Sequence, residues 1–442
     1  MTAGATTAHP AELLQRLIRF DTTNPPGNEA ACIAFAADLL RGAGIEPVIR
    51  AKDPARPNLI ARVKGRGSAP PLLMYGHVDV VTAEGQPWRH PPFEGVMDGG
   101  FVWGRGAVDM KGGLAMMLAA LLRATAAGAA LPGDVILALV SDEEENGEYG
   151  AHYLVEAHAE LFTGVRHAIG EIGGFSLTIG SRRLYPIMVG EKAKCLVRAT
   201  VRGRGGHGSL PVRGEAMARL AHLLRQLDER RLPVHVTPVA RAMFESMAAA
   251  LPPSTGFIIR QLLTPSLTDG VLGLLGKRGE PFGPLLRHTV SPTIVRGGSK
   301  ANVIPGEVTV DLDCRILPGF GPEDALGELR RLAGDTVELA VLDFVPAPAP
   351  TPDLTLFPAL AAVLREVDPG GTPIPMLVSG ATDARFFSRL GIQTYGFTPM
   401  QLPPDLNFTH LFHGGDERIP VAAVEFGTDA IYRLLQRFGA AA

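Results

Sequence analysis

Three short apolar runs in this 442-residue chain lead directly into side chains of the kind that bind metal ions. The run Leu72–Tyr75 leads into His77 (MYGHVDVV), Val135–Val140 into Glu144 (VSDEEENG), and a third into Glu171 (AIGEIGG). Apolar runs this short, bounded by turn residues, predict buried strands of a largely parallel sheet. Open α/β sheets bind their ligands beyond the carboxyl ends of the strands. The chain is therefore expected to bring these three side chains together. Asp109 in GRGAVDMKGG and His413 in LFHGGDER are likewise expected at the ends of strands, in similar Gly- and acid-rich segments. Two imidazoles and three carboxylates suit zinc and similar divalent ions, and a shared carboxylate can hold two ions about 3.5–4 Å apart. Alone, SDEEENGE would read as a solvated acidic turn; placed after a buried strand, it reads as part of a site.

The rest of the chain supports an α/β layered sheet. Helical apolar periodicity covers residues 10–20 and 29–43, the latter with Asn28 as a candidate N-cap. Met110–Ala127 is apolar nearly all round and predicts a buried helix. From residue 192 the pattern changes. A half-exposed strand (192–203), a helix (213–229), strands at 287–296 and 306–316, a helix (322–333) and a strand (337–344) give β-α-β-β-α-β, a ferredoxin-like unit. Ligand-like motifs lie on both sides of it, so it reads as an insertion. The expected division is a catalytic domain of 1–190 and 347–442 and an inserted domain of 191–346. Within the latter, 240–285 is an extra apolar piece broken by Pro and Gly, expected as a lid, an acyl pocket or added core. Proline-rich VPAPAPTPD (345–353) reads as a linker, and helices are expected near 354–367 and 420–437.

Bulk properties narrow the function. A length of 442 residues favours two domains. With 20% charged residues, a net charge of −3 and no basic patch, nucleic acid is not an expected partner. No apolar run reaches the ~18 residues needed to span a bilayer. The first residues, MTAGATTAHPAELL, lack the basic and apolar regions of a signal peptide. The three cysteines, Cys32, Cys195 and Cys314, form no C-x-x-C, which points to a reducing compartment. A cytoplasmic protein is the expectation. No G-x-x-x-x-G-K-[ST] accompanies the glycines of GRGAVDMKGG, so nucleotide binding is discarded.

Nine motifs stand in order: GHVDVV, PWRHPPFEG, GRGAVDMKGG, SDEE, GHGSLP, ANVIP, DCRILPG, SGATDARFF and HGGDER. Together they resemble the zinc metallopeptidase family of aminoacylase, carboxypeptidase S, glutamate carboxypeptidase, succinyl-diaminopimelate desuccinylase and acetylornithine deacetylase, over about residues 10–425. The segment HTVSPTIVRGGSKANVIP most resembles the carboxypeptidase S and N-acyl-amino-acid hydrolase branch. The resemblance implies two zinc ions, with cobalt or manganese as substitutes. Asp109 would bridge them, His77 and Glu171 would complete one site, and Glu144 and His413 the other. Asp79 would orient the His77 imidazole, and Glu143 would be the general base. The resemblance also implies a homodimer in which His207 of GHGSLP serves the partner's site as an oxyanion donor. Asn302 would bind the carbonyl or backbone of the substrate, and Arg315 would clamp its carboxylate. Backbone N–H groups at Gly380–Thr382 would cradle that carboxylate, or Thr382 or Asp383 would simply cap a helix. The implied reaction is hydrolysis of an N-acyl amino acid or short peptide with a free carboxylate beside the scissile bond. The rivals are a biosynthetic deacylase, such as a desuccinylase or deacetylase, and an inactive metal-binding scaffold.

Overall fold

The uninterrupted apolar runs become the central strands. In the computed structural model, which describes residues 9–439, Leu72–His77 and Val135–Val140 are buried at every position and pair in parallel. His167–Gly170 is parallel to the other side of Leu72–His77, and Gln393–Gly396 is parallel to His167–Gly170. Such strands show no polar alternation because both faces are covered. Further strands finish the edges, antiparallel where Asn58–Val63, Val48–Arg50 and Arg182–Glu191 join. Asn58–Val63 and Val48–Arg50 lie on one side; Arg182–Glu191 and Gly371–Val378 lie on the other. The α/β class expected from the sequence is the class observed.

The chain divides into two units. The first holds the chain up to Val189, Pro352–Met376 and the residues from Thr382 on; the second holds Gly190–Thr351 and Leu377–Ala381. In the first unit the helix Lys111–Ala126 is buried on all sides and packs against Pro10–Ile18 and Val421–Leu435. Its buried Lys111 is satisfied by donating to the Phe20 carbonyl at 2.7 Å. Asn28 does not cap the next helix. That helix, Ala30–Gly42, starts after Glu29 with no side-chain cap, because the Glu29 carboxylate is bound by Arg56.

In the second unit, Ala193–Arg202, Thr289–Gly297, Glu307–Ile316 and Val337–Val345 form one antiparallel sheet in the spatial order second, third, first, fourth. The helices Ala216–Glu229 and Pro322–Ala333 share a core with one face of it, including Val197, Leu220, Leu312 and Leu326. Burial alternates along Ala193–Arg202, as a sheet covered on one face requires. This is the ferredoxin-like arrangement. The stretch 240–285, apolar but unassigned in the sequence, lies mostly in the short helices Pro238–Ala250, Pro253–Gln261 and Pro265–Leu275. Pro253 and Pro265 open helices instead of breaking them, since the first turn needs no N–H from them.

Candidate metal centre

Parallel strands deliver the first candidate site residues. His77 is the last residue of its strand, Glu143 and Glu144 follow Val135–Val140, and Glu171 follows His167–Gly170. All lie in the first unit, as do Asp109 and His413. His77 Nε2 is 3.1 Å from Asp109 Oδ1 and 3.5 Å from Glu171 Oε2. His413 Nε2 is 3.3 Å from Asp109 Oδ2 and 3.2 Å from Glu144 Oε2. Asp109 thus turns one oxygen to each histidine, and each histidine also faces its own glutamate. Donor atoms of His77, Asp109 and Glu144 lie within 4.8 Å of one another, as do those of His77, Glu143 and Glu171. Glu144 Oε1 is buried with no hydrogen-bond partner. Two oxygen-and-nitrogen donor sets sharing one carboxylate fit a pair of divalent cations.

The charges point the same way. Burial alone would lower the His77 pKa, but Asp109, Asp79 and Glu171 hold it well above the ordinary value. His413, beside Asp109 and Glu144, is pushed up to about 10. Asp109, although buried, is held below the ordinary carboxylate range by His413 and His77. Burial raises Glu143, and Glu171 beside it raises it further. Burial also raises Glu144 and Glu171, each opposed by its histidine. A buried pocket with this excess of carboxylate needs positive charge to stay ionised.

Backbone strain concentrates here. Asp142, Ile172 and His413 are non-glycine residues at φ of 70°, 58° and 57°, in the left-handed region that side chains disfavour. The first two adjoin Glu143 and Glu171; the third is a candidate ligand. Two residues not anticipated from the sequence hold this geometry. Glu417 is fully buried and accepts from the N–H groups of Gly106, Val108 and Asp109 at 3.0, 2.7 and 3.1 Å. Arg105 donates to Glu417 at 2.7 Å and to the Gly414 carbonyl at 3.1 Å. Together they tie the Asp109 segment to the His413 segment. Both stand inside motifs already noted, GRGAVD and HGGDER, as the opposite charges of a buried pair.

Asp79 meets the His77 ring through its backbone and faces it with its carboxylate. The His77 Nδ1 contacts the backbone carbonyl of Asp79 at 2.9 Å, while the Asp79 carboxylate stands 3.6 Å away. The carboxylate accepts instead from the N–H groups of Glu143 and Glu144, at 3.2 and 3.1 Å. It holds the acidic turn as well as facing the imidazole.

The second unit brings His207 and Asn302 together. Gly206–His207 and Val303–Ile304 form a small ribbon, and Asn302 accepts from Gly208 N–H at 2.8 Å. His207 is exposed. Its Nδ1 lies 2.8 Å from Ser209 Oγ and 3.2 Å from Ser209 N. The Arg315 fork is engaged by Asp313 at 2.8 and 3.0 Å, leaving its outer edge for another carboxylate. Gly380 belongs to this unit and Thr382 to the first. Thr382 is fully buried, and its hydroxyl accepts from Ala384 N–H at 3.1 Å, just before the helix Ala384–Phe387, whose N-cap residue Asp383 makes no side-chain cap bond. A third ligand-like group, His235, His288 and Glu328, is not free to hold a metal through all three. Leu317 N–H donates to His288 Nδ1 at 3.1 Å, which puts the ring proton on Nε2.

Paired acid–histidine clusters sharing one carboxylate, beside the carboxyl ends of parallel strands, make a candidate two-metal site on an α/β fold. The chain belongs to Peptidase family M20/M25/M40, whose profile matches residues 73–437. The N-fatty-acyl-amino acid synthase/hydrolase PM20D1 of Homo sapiens is 28% identical over 384 residues, 84% of this chain and 75% of that protein. The succinyl-diaminopimelate desuccinylase of Paracoccus denitrificans (strain Pd 1222) is 28% identical over 443 residues, 97% of this chain and 98% of that protein. The M20 family metallo-carboxypeptidase Sso-CP2 from Sulfolobus solfataricus shares the fold, with a TM-score of 0.70 at 17% identity, over 97% of this chain and 98% of that one. No helix among the described residues is long and apolar enough to cross a membrane.

Proposed function

We propose that this protein is a two-metal, zinc-type amide hydrolase acting on N-acyl amino acids or short peptides with a free carboxylate beside the scissile bond. The observation that carries this reading is Asp109, whose two oxygens face His77 and His413 separately. In it, Asp109 bridges, His77 and Glu171 complete one metal site, and Glu144 and His413 complete the other. When bound, two cations supply Lewis-acid polarisation of the carbonyl and a nucleophilic water near neutral pH. Glu143 takes the proton of the attacking water and returns it to the leaving amine. His207, whose Nδ1 is turned to Ser209, donates from Nε2 to the developing oxyanion of a partner subunit's substrate. The support for a homodimer is the edge strand Thr289–Gly297, whose Ile294 and Val295 are 48% and 56% exposed, an open edge of the sort proteins cover. Asn302, the outer edge of Arg315, and the Gly380–Thr382 segment bind the carboxylate end of the substrate.

A biosynthetic deacylase is the second reading. It is supported by the near full-length match to the desuccinylase. The test is hydrolysis of N-acetyl, N-succinyl and N-lauroyl amino acids and dipeptides, before and after chelation and after adding back zinc, cobalt or manganese. Cleavage of acyl amino acids that vanishes on chelation and returns with metal is the expected result. A strict preference for the N-succinyl compound selects the second reading. Full activity in a verified metal-free sample refutes both.

A further inference from the structure

We propose that Asn24, Arg56 and Glu29 form a buried positioning network that aims Glu143 and Glu144 into the metal centre. The Asn24 amide donates to Asp79 Oδ2 at 2.9 Å and to Asp142 Oδ1 at 3.0 Å. Arg56 Nη1 donates to the same Asp142 oxygen at 2.9 Å. Its Nε and Nη2 grip Glu29 at 3.2 and 2.6 Å. All five side chains are at least nine-tenths buried. Gly27 is part of the design: a Cβ there would stand 2.2 Å from Arg56 Nε, at a φ of +81°. Within TTNPPGNE, three positions therefore serve one network: the amide, the glycine and the glutamate.

The network grips the acidic turn at two points. Asp79 holds the N–H groups of Glu143 and Glu144. Asp142 closes the turn by accepting from Tyr149 N–H through its carboxylate, at 3.2 Å. Its carbonyl accepts from Gly147 N–H at 2.7 Å. Asp142 keeps its left-handed φ of 70°, and such strain persists where the surroundings over-determine it. Asn24 and Arg56 supply that constraint. The Asn24 amide also fixes the spacing of two carboxylates that would otherwise repel, since it donates one N–H to each. Glu143 and Glu144 follow Asp142 directly, so the network sets their origin and direction. Small displacements of a reacting group cost rate far more than they cost binding.

This inference rests on Glu143 being the base. The experiment measures kcat, KM, metal per chain and melting temperature for Asn24→Ala and Asn24→Asp, on whichever substrate of the panel above is cleaved fastest. Asn24→Ala adds no charge and leaves Asp79 its two backbone donors and Asp142 its arginine, so the chain folds. Its kcat should fall about 10–100-fold, with KM within about twofold and metal content unchanged. Asn24→Asp keeps the shape but sets a third carboxylate between two others, and its kcat should be lower still. A merely structural role would lower the melting temperature and leave kcat per folded, metal-loaded chain intact. Folded, metal-loaded Asn24→Ala with near wild-type kcat overturns the proposal, as does a change confined to KM or to metal content. Glu143→Gln is the control. If it is inactive while Asn24→Ala is fully active, only the network falls; if it too keeps wild-type kcat, the assignment of the base falls.

Discussion

Glu417→Gln isolates the pair that joins the Asp109 and His413 segments. Arg105 and Glu417 are 1% and 0% exposed, so water cannot replace what either loses. One Glu417 oxygen accepts from Val108 and Asp109 N–H, and the other from Gly106 N–H and Arg105 Nη1. Glutamine keeps the shape but has only one oxygen. Whichever way its amide turns, a donor faces two donors. In one orientation the orphans are two backbone N–H groups, at about 1–3 kcal/mol each. In the other they are a backbone N–H and a buried guanidinium, and breaking a buried ion pair costs about 3–5 kcal/mol. Arg105 keeps its bonds to the Thr82 carbonyl and to Gln86, which holds the loss near the lower figure. The expected destabilisation is about 3–4 kcal/mol, or a fall of roughly 6–16 °C in the melting temperature at about 2–4 °C per kcal/mol. The assay is thermal unfolding of the metal-free protein, followed by metal titration, where affinity should also fall because Asp109 loses its backbone anchor. A shift under about 3 °C with unchanged metal affinity would refute the reasoning.

Glu143→Gln should lower kcat about 10²–10⁴-fold and leave metal content intact, since it changes proton transfer and none of the five proposed ligands; steady-state kinetics with metal analysis decides it. His288 is held down to about 4 by burial, with His235 beside it adding to the effect. Below its ordinary 6.5 the unfolded chain takes up a proton that the folded chain refuses. Stability from this group is therefore complete above pH 6.5 and drains as pH falls toward 4, about 3 kcal/mol in all. His288→Asn, which can still accept from Leu317 N–H, should flatten the pH dependence of denaturant midpoints over that window. Mixing His207→Ala with Glu143→Gln under subunit exchange should restore activity toward half the wild-type value per mixed dimer. Verified heterodimers without activity would place His207 in its own chain's site or outside catalysis.

Local rules made much of this protein legible. Fully apolar runs marked the buried parallel strands because only strands covered on both faces can omit polar alternation. The sequence also placed five metal-type side chains at the ends of predicted strands, where an α/β sheet gathers its ligands; Asp109 and His413 lie in turns instead. The β-α-β-β-α-β order was readable because each element carries its own periodicity. Other parts were illegible for a common reason. The three-residue strand Arg418–Pro420 takes its pairing from a distant partner and is too short for a periodicity of its own. The helices in 240–285 were hidden by prolines that mark starts.

What only the tertiary structure decided is which charges meet. Arg105 and Glu417 stand 312 positions apart, Asn24 and Asp142 stand 118 apart, and nothing local relates them. Composition cannot distinguish these buried arginines and carboxylates from the solvated ones that outnumber them. Their function comes from desolvation and from hydrogen-bond direction, which exist only once the chain has folded around them. The sequence by itself determined the ligand types and the sheet that gathers them. The folded chain decided their aim: which oxygen of Asp109 faces which histidine, and which buried amide holds the acidic turn in place.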